Sequence, residues 1–315
     1  MNDIWTEKYR PSSFDEIIGQ EKVVERLRSF VKQKNIPHLL LSGPAGTGKT
    51  TLSLVIAKEL YGKDWRQNFL ELNASDARGI DIIRGEVKSF ARTKAIGTDL
   101  PKIIYLDECD ALTKEAQQAL RRTMELYTST ARFILSCNLS SKIIDPIQSR
   151  CAVFRFKPLE KKDVENVIKN IAKDEKLVID DRTIDLIFEM SEGDIRRVIN
   201  ILQSCASIDK KISESVVCEI VSAAKPKEIR QVLEMSIGGN FIKARDILLN
   251  VMLDHGLSGM EMIKQIQKEI INLNTKDEIK AKLIEKCGEI EFRMVEGSDE
   301  FLQLEALLAS FSIIK

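Results

Sequence analysis

Few residues of this sequence have the spacing that metal-binding or disulfide-exchange sites require. It contains only two histidines, His38 and His255, and they lie far apart. No two cysteines have the Cys-x-x-Cys spacing of zinc and redox motifs. The six cysteines are Cys109, Cys137, Cys151, Cys205, Cys218 and Cys287. We therefore expect structural histidines, reduced and buried cysteines, and neither a zinc nor a redox centre.

The sequence also has no excess of charge and no long apolar run. Lysine and arginine together number 48, as do aspartate and glutamate, so the net charge does not indicate a nucleic-acid partner. Any contact with nucleic acid must then come from local clusters of charge. No segment approaches the roughly 18 consecutive apolar residues of a transmembrane helix, and the first residues, MNDIWTEKYRP, lack the apolar run of a signal peptide. These absences predict a cytosolic protein.

The sequence does contain the pattern of a layered fold. Its 315 residues are 43% hydrophobic and 30% charged, which is typical of a globular protein, and the length predicts about two or three domains. The runs HLLLSG, KIIYLDE and RFILSCN, with the weaker FLELNAS, are continuously apolar, as in strands buried on both faces of a parallel sheet. Amphipathic segments such as TLSLVIAKELYG, with Gly62 as the expected C-cap, lie between them. This alternation predicts an α/β fold.

The pattern changes near Pro158, after which only helical periodicity is visible. Helical segments continue to about residue 223, and the pair Lys225-Pro226 interrupts them before a further series of helices. The sequence therefore predicts an α/β domain over residues 1–158, a small helical domain over 159–224 and a C-terminal helical domain over 225–315.

The segment GPAGTGKT fits the phosphate-loop pattern G-x-x-x-x-G-K-[ST], with a strand-like run before it and a helical run after it. In such a loop the glycines allow backbone N–H groups to surround phosphate oxygens, and the helix N-terminus adds positive partial charge. Lys49 would reach the β- and γ-phosphates, and the Thr50 hydroxyl would bind Mg²⁺. The nucleotide-binding residues predicted from the loop are Gly43, Pro44, Ala45, Gly46, Thr47, Gly48, Lys49 and Thr50.

Two further strand ends carry polar groups that suit the same chemistry. Asp107 ends the run KIIYLD, where its carboxylate can join Thr50 in binding Mg²⁺, and Glu108 is placed to polarise a water for attack on the γ-phosphate. Asn138, after RFILSC, could hold that water or the γ-phosphate because an amide both donates and accepts. Such an asparagine is also a common turn residue. Asp110 belongs to the same acidic cluster and is given no chemical role.

Further motifs follow one another along the chain. They are WTEKYRP (5–11), GPAGTGKT (43–50), ELNASD (71–76), LDECD (106–110), ALRRTME (119–125), SCN (136–138), SRC (149–151) and GDIRR (193–197). With these motifs the entire chain resembles an AAA+ ATPase, and closely the small subunits of replication factor C, the sliding-clamp loader of archaea and eukaryotes. Phosphate loops occur in many unrelated proteins, whereas KYRP, SRC and GDIRR together are far more specific. The Ile-, Lys- and Glu-rich composition would suit an archaeon.

The resemblance implies an α/β AAA+ P-loop ATPase core, with a parallel sheet between helices, a small helical lid domain and an all-α C-terminal collar domain. It also implies a role for Arg150, which lies between a helix-like run and a β-type run and has no obvious acidic partner nearby in sequence. Arg150 would be an arginine finger that reaches the γ-phosphate held by the Lys49 of a neighbouring subunit. From spacing alone, a surface arginine at a helix end is the simpler interpretation.

Two more groups of residues gain a role from the resemblance. Arg196, or alternatively Arg197, resembles the second sensor of these ATPases, since Asp194 can cap a helix whose first turn carries Arg196. That contact would tie the position of the lid to the bound nucleotide. In the family the KYRP and DEIIG segments help to enclose adenine, and N-terminal packing explains them equally well. The matching residues are Tyr9, Arg10, Pro11, Ile17 and Ile18.

A basic segment, GIDIIRGEVKSFARTKA, predicts a helix on which Arg84, Lys88 and Arg92 form a stripe beside an apolar face. A stripe of this kind is usually a solvated surface. Clamp loaders, however, follow the backbone of duplex DNA with helices from this region. The resemblance therefore implies sequence-independent phosphate contacts by Arg84 and Lys88, with Arg78 and Lys114 as weaker candidates.

The resemblance thus implies the small subunit of a replication factor C clamp loader, an ATPase that hydrolyses ATP to ADP and phosphate with Mg²⁺. ATP binding and DNA-stimulated hydrolysis would open the sliding clamp and load it onto primer–template DNA. The implied partners are further small-subunit copies, a large subunit, the sliding clamp and DNA, in a hetero-oligomer held together by the C-terminal helices. Their apolar faces are a core or an interface. The location would be the archaeal cytosol, or the nucleus in a eukaryote.

The C-terminus lacks the usual clamp-binding peptide, so clamp contact would come from the folded ATPase domain.

Two alternatives make different predictions. A different AAA+ DNA motor, of the branch-migration helicase type, would carry a C-terminal winged-helix domain, whereas this tail has the pattern of helices without strands. A non-hydrolysing scaffold subunit would commonly have lost Lys49, Glu108 or Arg150, and all three are present.

Overall fold

The computed structural model describes residues 4–75, 83–221 and 226–313. The chain divides into two compact units, Met1–Lys211 and Ile212–Lys315. The first unit contains a parallel sheet and helices, and the second consists mainly of helices. The boundaries at residues 158 and 224 stay predictions.

The first unit is built on a five-stranded parallel sheet, which confirms the predicted α/β class. The strands are β1 (His38–Ser42), β2 (Phe69–Asn73), β3 (Lys102–Asp107), β4 (Ala131–Cys137) and β5 (Cys151–Arg155). Their order across the sheet is β2-β3-β4-β1-β5, and all neighbouring pairs are parallel. The carboxyl ends of β3, β4 and β1 are therefore adjacent, and the residues that follow them meet at one edge of the sheet.

The apolar runs form strands because both faces of the sheet are covered. Leu39 and Leu41 of β1 pack into the core that contains α2 (Glu21–Lys32) and α3 (Lys49–Tyr61), whereas Leu40 packs into the core on the opposite face. All three leucines are fully buried. A strand buried on both sides has no polar face to alternate with its apolar one.

The helices on the two faces differ in how much of their surface is covered. Every residue of α3 from Leu52 to Ala57 is buried. The prediction that this segment is amphipathic is therefore wrong. The helix lies between the sheet and α2, which leaves it little exposed surface. It ends at Tyr61, and Gly62 follows with φ +54° as the expected C-cap. On the other face, α5 (Lys114–Leu126) buries one side only.

Three short helices complete this part of the unit. They are α1 (Trp5–Lys8), α4 (Lys88–Ala91) and α6 (Asp145–Gln148). A π-helical turn, Ile83–Val87, precedes α4 in place of the regular helix predicted for the basic segment. Hydrogen bonds in such a turn join residues five apart, so residues 84 and 88 do not have the spacing of an α-helical stripe. The turn buries both Ile83 and Val87 in the core.

Three helices and two short strands follow the sheet. The helices are α7 (Lys161–Glu175), α8 (Asp181–Ser191) and α9 (Ile195–Ile208), and the strands are β6 (Val178–Ile179) and β7 (Lys211–Ile212). The strands were not predicted, because each is only two residues long. They arise where the loops between helices meet, and the Val178 N–H donates to the Lys210 carbonyl over 2.9 Å. The side chains of Asp180 and Asp194 cap α8 and α9 as N-cap acceptors.

The second unit is helical, as predicted. Its helices are α10 (Glu214–Val221), α11 (Pro226–Ile237), α12 (Phe241–His255), α13 (Gly259–Asn272), α14 (Asp277–Val295) and α15 (Glu300–Ile313). Between residue 213 and residue 313, the described positions contain no strand. The helices from α11 to α15 share one core, in which Leu248, Ile266 and Phe311 are fully buried. Within the three described stretches of the chain, no helix is long and apolar enough to span a membrane.

Candidate nucleotide-binding site

A pocket of about 420 Å³ opens at the carboxyl ends of β1, β3 and β4. Its walls come from three parts of the first unit. The phosphate loop and the strand ends form one wall, the N-terminal segment forms the second, and α7 and α9 form the third. In open α/β sheets this edge is the usual position of a ligand site.

The phosphate loop has a conformation that depends on glycine. Gly46 has φ +68°, a left-handed value, and a Cβ there would come within 1.7 Å of Asp194 Oδ1. At Gly43 a Cβ would come within 2.5 Å of the Phe156 carbonyl oxygen. The loop therefore packs closely against the start of α9 on one side and against the residues that follow β5 on the other. Its lining residues run from Ala45 to Thr51, while Gly43 and Pro44 of the predicted set do not line the pocket.

Lys49 is a buried cation whose hydrogen-bond acceptors are neutral oxygens. Its side chain is 8% exposed, and its ammonium group donates to the carbonyls of Gly43 (2.6 Å) and Pro44 (2.7 Å) and more weakly to Asn138 Oδ1 (3.4 Å). Burial lowers the pKa of Lys49, because the charged form loses its hydration. None of these three oxygens carries a charge, so the site suits an anion that would bind the ammonium group.

Thr50 and Asp107 form a pair of hard oxygen ligands. The Thr50 hydroxyl donates to Asp107 Oδ2 over 2.9 Å, and the Tyr105 hydroxyl donates to Thr50 Oγ1 over 3.0 Å. Both residues line the pocket. A carboxylate and a hydroxyl beside a phosphate loop are the groups that Mg²⁺ takes from such proteins. These residues therefore fit the ion.

Glu108 has a backbone conformation that ordinary residues avoid. Its φ of +51° and ψ of +37° are left-handed, and its N–H donates to Asp107 Oδ1 over 2.9 Å. Strain of this kind, typically about 1–3 kcal/mol, concentrates at functional sites. The turn brings the exposed Glu108 side chain to the pocket, which Asn138 also lines from the end of the adjacent strand β4.

Asp110 has a positioning role that the sequence did not reveal. Its carboxylate accepts from the backbone N–H groups of Asn138 (3.4 Å) and Leu139 (3.3 Å). It thereby ties the turn after β3 to the end of β4. The only indication of this role in the sequence was an acidic residue two positions after Glu108, and the sequence did not show which N–H groups its carboxylate would bind.

The first turn of α9 lies against the phosphate loop. The Ile195 N–H donates to the Gly46 carbonyl over 3.2 Å, and Asp194 accepts from the Arg197 N–H over 3.1 Å. Arg196 lines the pocket and Arg197 does not. Burial is the main cause of the lowered pKa of Lys49, the carboxylate of Asp107 opposes it, and the positive charge of Arg196 adds a smaller lowering effect.

The remaining walls combine apolar side chains with polar and charged ones. The N-terminal segment contributes all five residues predicted to enclose a base, including Arg10 and Ile18. Among the residues of the helices, α7 contributes Val167 and Ile171, and α9 contributes Ile199. These last three were not predicted from the sequence. Their spacing marked them only as apolar helix positions, which a core explains equally well.

Arg150 lies outside this pocket, at the end of α6. One nitrogen donates to the Pro146 carbonyl over 2.7 Å, and Nη2 lies 2.5 Å from Glu125 Oε1. Arg121 pairs with the same carboxylate over 3.1 Å, and it is the main cause of the lowered pKa of Glu125. The side chain of Arg150 stays 34% exposed. Its acidic partner comes from α5, which the local sequence could not reveal.

The predicted DNA-contacting residues are only partly described. Lys88 and Arg92 are exposed around α4, and Lys114 is exposed at the start of α5. Arg78 and the side chain of Arg84 lie outside the described part of the structure.

Comparison with known proteins identifies the family. Residues 39–159 match the model of the ATPase family associated with various cellular activities (AAA), and residues 224–310 match that of the replication factor C C-terminal domain. The replication factor C small subunit of Sulfolobus acidocaldarius is 52% identical over 312 residues, covering 98% of this chain and 96% of that protein. The chain belongs to the replication factor C small-subunit family. The small subunits of Methanococcus vannielii (50% over 315 residues, all of both chains) and Archaeoglobus fulgidus (47% over 312 residues, 99% of this chain and 98% of that protein) are also similar.

Membership of the replication factor C small-subunit family confirms the clamp-loader class predicted from the motifs. It also makes the chain a nucleotide-binding ATPase of the AAA type. Among solved structures, the RuvB Holliday junction branch migration motor of Thermotoga maritima is similar, with a TM-score of 0.57 and 22% identity over 73% of this chain and 79% of that one. This likeness concerns the fold. The helicase alternative is not favoured, because the C-terminal residues match the replication factor C domain.

Proposed function

We propose that this chain is an ATP-hydrolysing small subunit of a clamp loader. In this proposal, ATP binding and DNA-stimulated hydrolysis open a sliding clamp and load it onto primer–template DNA. The observation that carries the proposal is the arrangement of Lys49: a buried ammonium group, held by neutral oxygens, at the meeting point of the phosphate loop, β3 and β4. Family membership supplies the biological setting.

The side chains of the pocket would divide the chemistry between them. Lys49 would bind the β- and γ-phosphates, and Glu108 would accept a proton from the attacking water. Asn138 and Arg196 would contact the γ-phosphate from the strand end and from α9. Thr50 and Asp107 would hold Mg²⁺, which when bound neutralises charge on the phosphates. The 2.9 Å contact between these two residues supports their assignment to one ion.

Arg150 would act on the nucleotide of a neighbouring subunit. Its guanidinium is exposed, lies outside its own pocket and is directed by Glu125 and the Pro146 carbonyl. An arginine finger supplied from another chain stabilises the charge that develops on the transferred phosphoryl group. The site would then be complete only in an assembly of small-subunit copies with a large subunit.

Contact with DNA and clamp would come from the first unit. Lys88 and Arg84 would meet DNA phosphates without regard to base sequence, so binding would weaken steeply with salt. The exposure of Lys88 supports this assignment. A subunit that acts on archaeal chromosomal DNA would work in the cytosol.

The decisive measurement is ATP hydrolysis by the purified assembly, alone and with sliding clamp, primed DNA or both. We expect the largest rate with clamp and DNA together, and no stimulation in an assembly whose small subunits carry Lys49→Met. Stimulation by branched DNA without clamp would indicate the helicase alternative. ATP binding without hydrolysis under any condition would indicate a scaffold subunit.

A further inference from the structure

The N-terminal helix α1 and the residue after it are fastened to the helices that form the third wall of the pocket. Glu175, the last residue of α7, accepts from Lys8 Nζ over 2.6 Å and from the Tyr9 hydroxyl over 2.7 Å, both at Oε1. A second contact between these segments is the hydrogen bond that the Trp5 N–H donates to Gln203 Oε1 of α9 over 3.0 Å. The two contacts join residues that are 166 to 198 positions apart in sequence.

The residues on both sides of this fastening line the nucleotide pocket. The N-terminal segment contributes Tyr9 and Arg10 to the pocket lining, and α7 contributes Val167 and Ile171. Glu175 follows Ile171 by four residues and therefore projects from the same side of the helix. It is not itself a lining residue. It connects two walls without touching the space between them.

The contact has the features of a partly buried, ordered interaction rather than of a mobile ion pair on the surface. The Glu175 side chain is 21% exposed, whereas that of Lys8 is 45% exposed. Tyr9 is half-buried, its ring packs edge-on against Trp5 at 6.0 Å, and burial together with the bond to Glu175 raises its pKa to about 12. A carboxylate that accepts from two donors fixes both, because charge-assisted hydrogen bonds are short and directional.

We propose that Glu175 is a positioning residue of the nucleotide site, which holds the N-terminal wall against α7 through Tyr9 and Lys8. The inference rests on the proposed ATP site and extends it to a residue outside the pocket. Because Glu175 does not touch the pocket, its loss should change how well the walls enclose a nucleotide and not the hydrolytic groups at the strand ends. Nucleotide affinity should fall, while turnover at saturating ATP stays the same.

The test uses the full chain and the fluorescence of Trp5. The sequence has two tryptophans, so Trp65→Phe leaves Trp5 as the single reporter, beside Tyr9. In that background we expect Glu175→Ala to shift Trp5 emission to the red without nucleotide, because the fastening is lost. We expect the dissociation constant for Mg²⁺-ATP, measured by titration, to rise about tenfold, the effect of losing one or two hydrogen bonds to a charged group.

Two conservative variants test the contact itself. Tyr9→Phe removes only the hydroxyl, so its loss of affinity should be smaller, and it should add little in a chain that already carries Glu175→Ala. Glu175→Gln keeps an oxygen acceptor and should restore part of the affinity. If Glu175→Ala does not fold, these two variants decide the question. A control on the same helix is Glu165→Ala, whose partner Lys169 lies 3.8 Å away and which does not line the pocket.

The outcomes separate this inference from the proposed function. Wild-type affinity and Trp5 emission in Glu175→Ala, with binding abolished by Lys49→Met, would overturn the inference and leave the ATP site intact. A wild-type chain that binds no ATP, or binds it equally with Lys49→Met, would overturn the proposed function. An equal loss of affinity in Glu165→Ala would mean that the effect is a general one of helix α7, and would also overturn the inference.

Discussion

Asp194 occupies the space that a side chain at position 46 would need. A Cβ added to Gly46 would come within 1.7 Å of Asp194 Oδ1, and the neighbouring Ile195 N–H donates to the Gly46 carbonyl. The phosphate loop and the first turn of α9 are thus packed backbone to backbone. Arg196 reaches the pocket from this turn, so a displacement of α9 also moves Arg196.

We therefore expect Gly46→Ala to displace α9 and to weaken ATP binding by about tenfold or more. The left-handed φ of +68° adds roughly 1–2 kcal/mol of backbone strain. Calorimetric titration with ATP and thermal melting would measure the two effects. The matched control is Gly256→Ala, since Gly256 has φ +63° and nothing within 4 Å of its added Cβ. It should lose stability but keep its affinity for ATP, and equal affinities in both variants would contradict this account.

Lys49→Met should separate nucleotide binding from folding. Burial lowers the pKa of Lys49 more than the carboxylate of Asp107 raises it, so we expect the buried charge to cost stability when no anion is bound. Without nucleotide, the melting temperature of the variant should equal or exceed that of the wild type. With ATP at 100 times its dissociation constant, the wild type should gain about 2.7 kcal/mol and the variant nothing. A large loss of stability without nucleotide would mean instead that the bonds to Gly43 and Pro44 hold the loop together.

The sequence predicted the parts of this molecule that depend on local pattern. Strands buried on both faces appear as unbroken apolar runs such as that of β1, and the spacing of GPAGTGKT identifies a loop between strand and helix. Because parallel strands end at one edge, the positions of Asp107 and Asn138 followed from the strands alone. Packing on all sides of α3 was not foreseen, since a helix inside a layered unit has no amphipathic signature.

Contacts between distant segments could not be predicted in this way. Glu125 lies 25 positions before its partner Arg150, and the pair forms only because α5 and α6 pack together. The fastening of Tyr9 by Glu175 depends on the return of the chain over the N-terminal segment. No period or spacing in the sequence records such proximity. The resemblance to a family supplied a role for Arg150, but not the carboxylate that directs it.

Arg150→Ala should abolish stimulated turnover while ATP binding stays intact. Arg150 does not line its own pocket, so ATP affinity of the isolated chain should equal that of the wild type. In the assembly, hydrolysis stimulated by clamp and DNA should fall by about 10³–10⁵, the range for arginine fingers. The control is Arg182→Ala, which removes an exposed arginine from α8. Unchanged stimulation in the Arg150 variant would refute the role in the neighbouring site.

His38 should make the folded state sensitive to acid. It is 8% exposed at the start of β1, its Nδ1 accepts from the Phe133 N–H over 3.0 Å, and burial lowers its pKa to about 4. An unfolded histidine has a pKa near 6.5, so between about pH 6.5 and pH 4 the unfolded state binds a proton that the folded state does not. Stability is therefore unaffected by His38 above pH 7 and falls as the pH drops through this window.

At pH 5 this effect amounts to about 2 kcal/mol. His38→Asn removes the titrating group, and its amide oxygen can accept from the Phe133 N–H in place of Nδ1. Urea unfolding at pH 7.5 and pH 5.0, followed by circular dichroism, would compare the two chains. The wild type should lose about 2 kcal/mol more than His38→Asn between these pH values, whatever the cost of the substitution at pH 7.5. Identical losses would show that His38 takes up its proton in the folded chain as readily as in the unfolded one, and that its burial at the start of β1 does not exclude the charge.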